Sequence, residues 1–188
     1  MEADKQNLFP FKTITELDAG LDAIRSSPRD QGRLDLIVTR PRTDKREIQD
    51  SGELSLEAGL VGDNWLARGG HRGQPANLDR QLNIMNSRAI TVIAGGKENW
   101  APAGDQLYVD FDLSEDNVPA GTQLAIGEAV IEVTPAPHNG CKKFANRFGT
   151  DAVKWVNSPE GKRLHLRGIC AKTLRAGVIR SGDSIRKV

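Results

Sequence analysis

The sequence predicts a mainly β protein, a small barrel with a few peripheral helices. Three observations carry that prediction. About seven short apolar segments have the length and alternation of strands, Gly-Asp pairs at Gly62-Asp63, Gly104-Asp105 and Gly182-Asp183 mark turns, and a helical stripe stands out in only one place. With 188 residues, of which 38% are hydrophobic and 27% charged, the chain is long enough for one compact core and cramped for two.

The elements follow in order. Leu17, Leu21 and Ile24 fall at i, i+4 and i+7 behind Thr15, a capping residue, so residues 1–32 read as a helical arm preceding a single domain at 33–188. Arg33 to Pro41 alternates as a half-buried strand, with Leu34, Leu36 and Val38 on one face and Asp35 and Thr39 on the other. A short alternating piece surrounds Leu54 and Leu56. It leads into Gly59 to Asp63, and the glycine-rich run 68–73 that follows reads as a loop. Leu82 to Met85 is a strand, and Ser87 is placed to cap a brief helix through Ile93. In Leu107 to Leu113 the odd positions form a dry face, while Tyr108, Asp110 and Asp112 form a wet one. Two apolar pieces, 123–126 and 129–133, flank a tight turn at Gly127-Glu128. Phe144, Phe148, Ala152 and Trp155 make the one strong helical stripe, with a kink expected at Gly149. Beyond it, Leu164 and Leu166 hold one parity and Ile169 and Ala171 the other, so a bulge is expected at Gly168, and strands recur at 177–180 and 184–188.

Composition excludes several classes. No stretch approaches the roughly 20 consecutive apolar residues of a membrane-spanning helix. Two cysteines cannot make a disulfide framework, and the acidic, polar start MEADKQNLFPFK is unlike a secretory signal, so a reducing cytoplasm is the expected location. Aromatic stacking platforms for nucleic acid are not apparent. The net charge of +1 conceals an asymmetry: residues 1–137 hold 14 Lys+Arg against 22 Asp+Glu, a net of −8, and residues 138–188 hold 12 against 3, a net of +9. Such a basic segment either binds an anion or is neutralised by the acidic part.

Within the basic segment Cys141 lies in a proline-punctuated loop, Thr134 to Cys141, that runs into the helix. Near a helix N-terminus, beside Lys142 and Lys143, the sulfur is favoured as a thiolate and is a candidate nucleophile or metal ligand. Cys170, inside an apolar strand, reads as core. His138, three residues before Cys141, offers half of a metal site with no second half, while His165 reads as solvent-facing and His71 sits in the glycine-rich loop. Arg147, Arg163 and Arg167, with backbone N–H groups at Asn139-Gly140, are candidates to hold an anionic ligand.

These residues resemble those of a stand-alone MOSC domain, the module named for the C-terminal part of molybdenum cofactor sulfurases. The resemblance rests on Gly59-Leu-Val-Gly-Asp63, Pro137-His-Asn-Gly-Cys141 with Phe144 and Arg147-Phe-Gly149, Leu164-His-Leu-Arg-Gly168, and Gly177-Val-Ile-Arg-Ser-Gly-Asp183, and it spans roughly residues 33–188. It implies a β-rich barrel whose cysteine, here Cys141, ligates molybdenum in a pterin cofactor or carries sulfur as a persulfide. It further implies cofactor contacts from His138, Asn139, Gly140, Lys142, Arg147 and Arg167, the two arginines toward the pterin phosphate, with Asp63 shaping the neighbouring loop. Large eukaryotic relatives add a pyridoxal-phosphate desulfurase region or a further barrel, and neither fits in the 32 residues before Arg33. A cysteine desulfurase partner for loading, or a separate electron donor, is therefore expected, along with a small-molecule substrate and room for oligomerisation. Small bacterial relatives resemble reductases of N-hydroxylated bases. Two other readings remain at this stage: a non-catalytic cofactor- or anion-binding module, and a cysteine hydrolase in which His138 or His165 activates Cys141 and Asp151 orients the histidine.

Overall fold

A computed structural model describes residues 10–69 and 75–188. Eleven strands and seven α-helices are defined among them. The strands are β1 (Gln31–Thr39), β2 (Glu47–Gln49), β3 (Ser51–Ser55), β4 (Gly59–Leu60), β5 (Leu82–Asn86), β6 (Leu107–Asp110), β7 (Gln123–Ile126), β8 (Ala129–Val133), β9 (Ile169–Arg175), β10 (Gly177–Arg180) and β11 (Ser184–Lys187). The helices are α1 (Ile14–Asp18), α2 (Leu21–Arg25), α3 (Trp65–Gly69), α4 (Ser87–Ala94), α5 (Lys142–Phe148), α6 (Thr150–Asn157) and α7 (Pro159–Arg163).

Seven strands close a barrel in the order β1-β11-β7-β8-β9-β5-β6 and back to β1, with β2 added on the outer edge of β1. All these pairs are antiparallel except β5–β6, where Ile84 faces Leu107 and Met85 faces Tyr108. A smaller sheet, β10-β3-β4, packs its Leu54, Leu60 and Ile179 into the barrel core. The barrel and its peripheral helices are as the sequence predicts, and closure leaves few free edges.

A second apolar layer lies outside the barrel. Phe144, Phe148, Ala152, Trp155 and Val156 pack there with Leu17 and Ile24 of the N-terminal helices. Leu17 and Ile24 are almost fully buried, and each such side chain is worth about 1.5–3 kcal/mol as an upper bound. Trp155 Nε1 donates to Asp18 Oδ1 at 2.9 Å, tying α6 to the end of α1. The first helix is capped by Thr13, which forms a capping box with Glu16, and not by Thr15. Asn86, not Ser87, caps α4 through two backbone N–H groups.

Three expectations about strands are corrected by this second layer and by backbone irregularity. Leu107 to Leu113 has no wet face at Tyr108: helices cover the outside of β6, so Tyr108 is fully buried and donates from its hydroxyl to Trp100 O. In β1 a bulge between Leu34 and Leu36 changes parity, so Leu34 and Ile37 point into the barrel while Leu36 and Val38 join the helical layer. Leu164 to Arg167 is not strand but the turn that follows α7, with His165 at φ +48 and Gly168 at φ +104. A Cβ on Gly168 would lie 2.2 Å from Ile84 O, so that position must be glycine for the turn to reach β5. At Gly149 the helix does not merely kink: φ of +92 divides α5 from α6, and their apolar stripe continues across the break.

Candidate functional site

Segments from distant parts of the chain meet beside β5 and β6. Arg40 follows β1, Asp63 follows β4, Asp105 precedes β6, His138 and Cys141 belong to the loop from β8 to α5, and Arg167 ends the turn before β9. Two buried ion pairs brace the region. Asp63 takes Arg40 Nε and Nη2 at 2.8 Å each, accepts from the Arg40 backbone N–H, and its side chain is inaccessible to solvent. A two-pronged pair of this kind fixes the guanidinium plane. Asp63 thereby holds both the loop and Arg40.

The second pair is a relay of three side chains. Asp105, fully buried, accepts from Arg167 Nη1 at 2.7 Å and from His138 Nε2 at 2.6 Å. Burial works to raise the Asp105 carboxyl, but Arg167 and then His138 outweigh it and bring it down to about 2. An ionised carboxylate only accepts, so His138 carries its proton on Nε2 and leaves Nδ1 as a lone pair. Burial, reinforced by Arg167, lowers the His138 pKa, so the ring is neutral near pH 7. Arg167 also donates to Ala103 O, stands 4.7 Å over the Phe144 ring, and has a buried Nε with no hydrogen-bond partner among the described residues.

Cys141 is exposed and occupies the N-cap position of α5, its side chain making no capping bond. It opens on a cleft of about 170 Å3 in which Arg46, Arg68, Lys143 and Arg147 face a single unburied carboxylate, Asp44. Arg147 is held by Pro102 O at 2.9 Å and Asp44 at 3.1 Å. Among the described residues Arg46 has no acidic hydrogen-bond partner: Nη1 donates to Lys45 O and Nε is buried without one. Burial, followed by the repulsion of Arg147 and Arg40, lowers the pKa of Arg46. Such a guanidinium is stabilised by any anion that enters.

Other predicted residues fall elsewhere. The Gly140 N–H is not free for a ligand, because Asn157 Oδ1 takes it at 2.9 Å and Asn157 Nδ2 returns a bond to Gly140 O. Asn139 and Lys142 are exposed on the loop and the first turn of α5. Arg163 is turned away into a surface network with Glu160 and Asp116. Asp151 orients neither histidine: it lies near Lys154, His138 is held by Asp105, and His165 Nδ1 meets Leu113 O at 2.6 Å. Cys170 is buried in β9, and burial pushes its thiol up to about 11. His71 lies outside the described residues. Sequence reasoning missed Asp105, Arg40 and Arg46. The dense basic run Arg40-Pro-Arg-Thr-Asp-Lys-Arg46 was a signal, hidden because charge was averaged over the acidic 137-residue part.

Fold and cleft together define a small β-barrel domain built around one exposed cysteine and an excess of cations. The chain belongs to the MOSC domain family, whose model matches residues 77–186. Among solved structures it is similar to YiiM from Escherichia coli (23% identity, TM-score 0.54, 83% of this chain and 69% of that one). It is similar also to YiiM from Geobacillus stearothermophilus (18%, 0.56, 84% and 75%) and to the YuaD protein of Bacillus subtilis (16%, 0.55, 82% and 94%). At these identities the likeness is one of fold. Comparison with curated protein sequences gives no match. No helix among the described residues is long and apolar enough to cross a membrane.

Proposed function

We propose that this protein holds a molybdenum-pterin cofactor in the cleft, with Cys141 as its ligand to the metal, and that the loaded protein, supplied with two electrons by a separate electron donor, reduces N-hydroxylated compounds with release of their oxygen as water. The observation that carries the reading is the exposed Cys141 sulfur at the edge of a cleft where Arg46, half-buried, has no anionic hydrogen-bond partner among the described residues.

The residues present fit such a group. No three His, Cys, Asp or Glu side chains cluster to chelate a bare ion among the described residues. A metal at Cys141 must therefore bring ligands of its own, as a pterin dithiolene does. The buried, unpartnered Nε of Arg46 supports an anion beside Arg147 and Lys143, and these three are the counter-charges assigned to the pterin phosphate. When bound, the cofactor supplies two-electron chemistry with oxygen transfer. The chain's own part is to present one sulfur, to orient the anionic tail with Arg46 and Arg147, and to hold His138 with its Nδ1 lone pair ready to take up or return a proton.

Production in hosts with and without pterin synthesis tests this. Molybdenum and pterin should co-purify only from the first host, should be lost in Cys141→Ser and should persist in Cys170→Ser. Equal, metal-free turnover from both hosts would sink the reading. The exposure of Cys141 also suits a second role as a persulfide carrier supplied by a cysteine desulfurase. A sulfur adduct of Cys141 without molybdenum would favour that role instead.

A further inference from the structure

The cleft at Cys141 does not end at Arg68. Arg40, Arg68, Asn83 and His138 line both it and a second cavity of about 270 Å3, which continues past Trp65 to Asn77 and Arg80. The two cavities adjoin at these four residues, Cys141 lining the one of about 170 Å3 and Arg80 the other, and together they are of the size of small-molecule sites.

The far arm offers donors and almost no acceptors. Asp63 neutralises Arg40 and lies buried behind it. Arg68 is exposed and has no hydrogen-bond or ion-pair partner among the described residues. Arg80 makes one bond, from Nη1 to Pro137 O at 3.2 Å, and no ion pair among the described residues. Asn77 uses its Oδ1 on the backbone N–H of Asp79, which leaves its amide NH2 to be satisfied from outside. No Asp or Glu among the described residues lines this arm. Two uncompensated guanidinium groups beside an amide donor match a dianionic, acceptor-only group of several oxygens, which describes a phosphate monoester. Arg46, Lys143 and Arg147 line only the cysteine end, Asn77 and Arg80 line only the far arm, and Arg68 stands between them, lining both.

Resting on the function proposed above, we propose that the Arg68–Arg80 arm binds the phosphate of the substrate. The compound reduced is then an N-hydroxylated phosphomonoester with its reactive end toward Cys141, not an uncharged molecule.

The test needs no metal. Calorimetric titration of the full chain with adenosine and with adenosine 5′-monophosphate should show the nucleotide binding about tenfold to a hundredfold more tightly, with inorganic phosphate competing. Arg68→Ala and Arg80→Ala should each erase most of that preference, and Arg80→Lys should keep most of it. Since Arg68 has no partner to lose, its variant separates binding from any shift of the Pro137 loop. Equal affinities for the two probes, or a preference that survives both alanine variants, would overturn the proposal. So would a preference lost in Arg147→Ala instead, or extraction of a dinucleotide form of the cofactor, which would claim the far arm for itself. Molybdenum content of the same variants keeps the two readings apart: it should fall in Cys141→Ser and Arg147→Ala and hold in Arg80→Ala.

Discussion

Replacing Asp105 by Asn removes one charge from a place where both of its partners are buried. Arg167 is only 8% exposed at its side chain and His138 14%, while Asp105 is fully enclosed. The carboxyl sits at about 2 against an ordinary 3.8, and at about 1.4 kcal/mol per pH unit its ionisation contributes about 2 kcal/mol at neutral pH. The variant loses more than that, because it also strands the Arg167 cation: breaking a buried pair from one side costs about 3–5 kcal/mol. For a chain of this size that is roughly 6–20 °C in Tm. The sign with pH is fixed by the depressed values. In the parent, Asp105 contributes fully above pH 3.8 and its share is lost as pH falls toward 2. The lowered pKa of His138 adds a separate loss that begins as pH falls through 6.5. Urea unfolding of parent and Asp105→Asn between pH 2 and 8 measures both. The gap between the curves should narrow below pH 4, and Asp105→Asn/Arg167→Met, which removes the stranded cation as well, should recover at least half of the loss. Parallel curves, a loss under about 1 kcal/mol, or simple additivity in the double variant would refute the reasoning.

Two further outcomes follow from single positions. Iodoacetamide at pH 7.5 should label the folded protein once, at Cys141, with Cys170 reacting only after denaturation, since Cys170 is 1% exposed and its thiol is pushed up to about 11; peptide mass spectrometry reads the site, and comparable labelling of both cysteines would contradict the burial. Gly168→Ala should cost about 3 kcal/mol or more, because it combines a φ of +104 with a Cβ placed 2.2 Å from Ile84 O, and a thermal midpoint within 2 °C of the parent would mean the turn has another way to lie.

Much of the barrel was legible because its strands alternate against a dry interior, and the hairpin at Gly127-Glu128 joins β7 to β8 with the register the apolar pattern predicts, Leu124 opposite Ile131. The errors share one cause. Period-two alternation locates a buried face by assuming that the other face is wet, and in this molecule the other face of β5, β6 and part of β1 is covered by helices. Tyr108 then looks polar and exposed when it is buried with its hydroxyl satisfied, and a one-residue bulge at Asp35 escapes notice because apolar residues on both sides of it end up buried. The stretch at 164–167 differs for another reason: the parity change that suggests a bulge is the end of a short helix, whose N-terminus Ser158 and Pro159 mark.

The site was legible at Cys141 and not at its surroundings, and the difference lies in how charge is read. A net of +9 over residues 138–188 points to the right region, yet Arg163 and Lys172 in that segment are paired with Glu160 and Glu132 and offer nothing to a ligand. The cations left over come mostly from the acidic part of the chain, Arg46, Arg68 and Arg80, while Asp63 and Asp105, which lower that part's net charge, are consumed holding Arg40 and Arg167. What attracts an anion is the charge that remains after every buried pair has been made, and pairing is decided by which loops the barrel brings together. Segment totals therefore mislead most where ion pairs cross between segments, as both Asp105–Arg167 and Asp44–Arg147 do here.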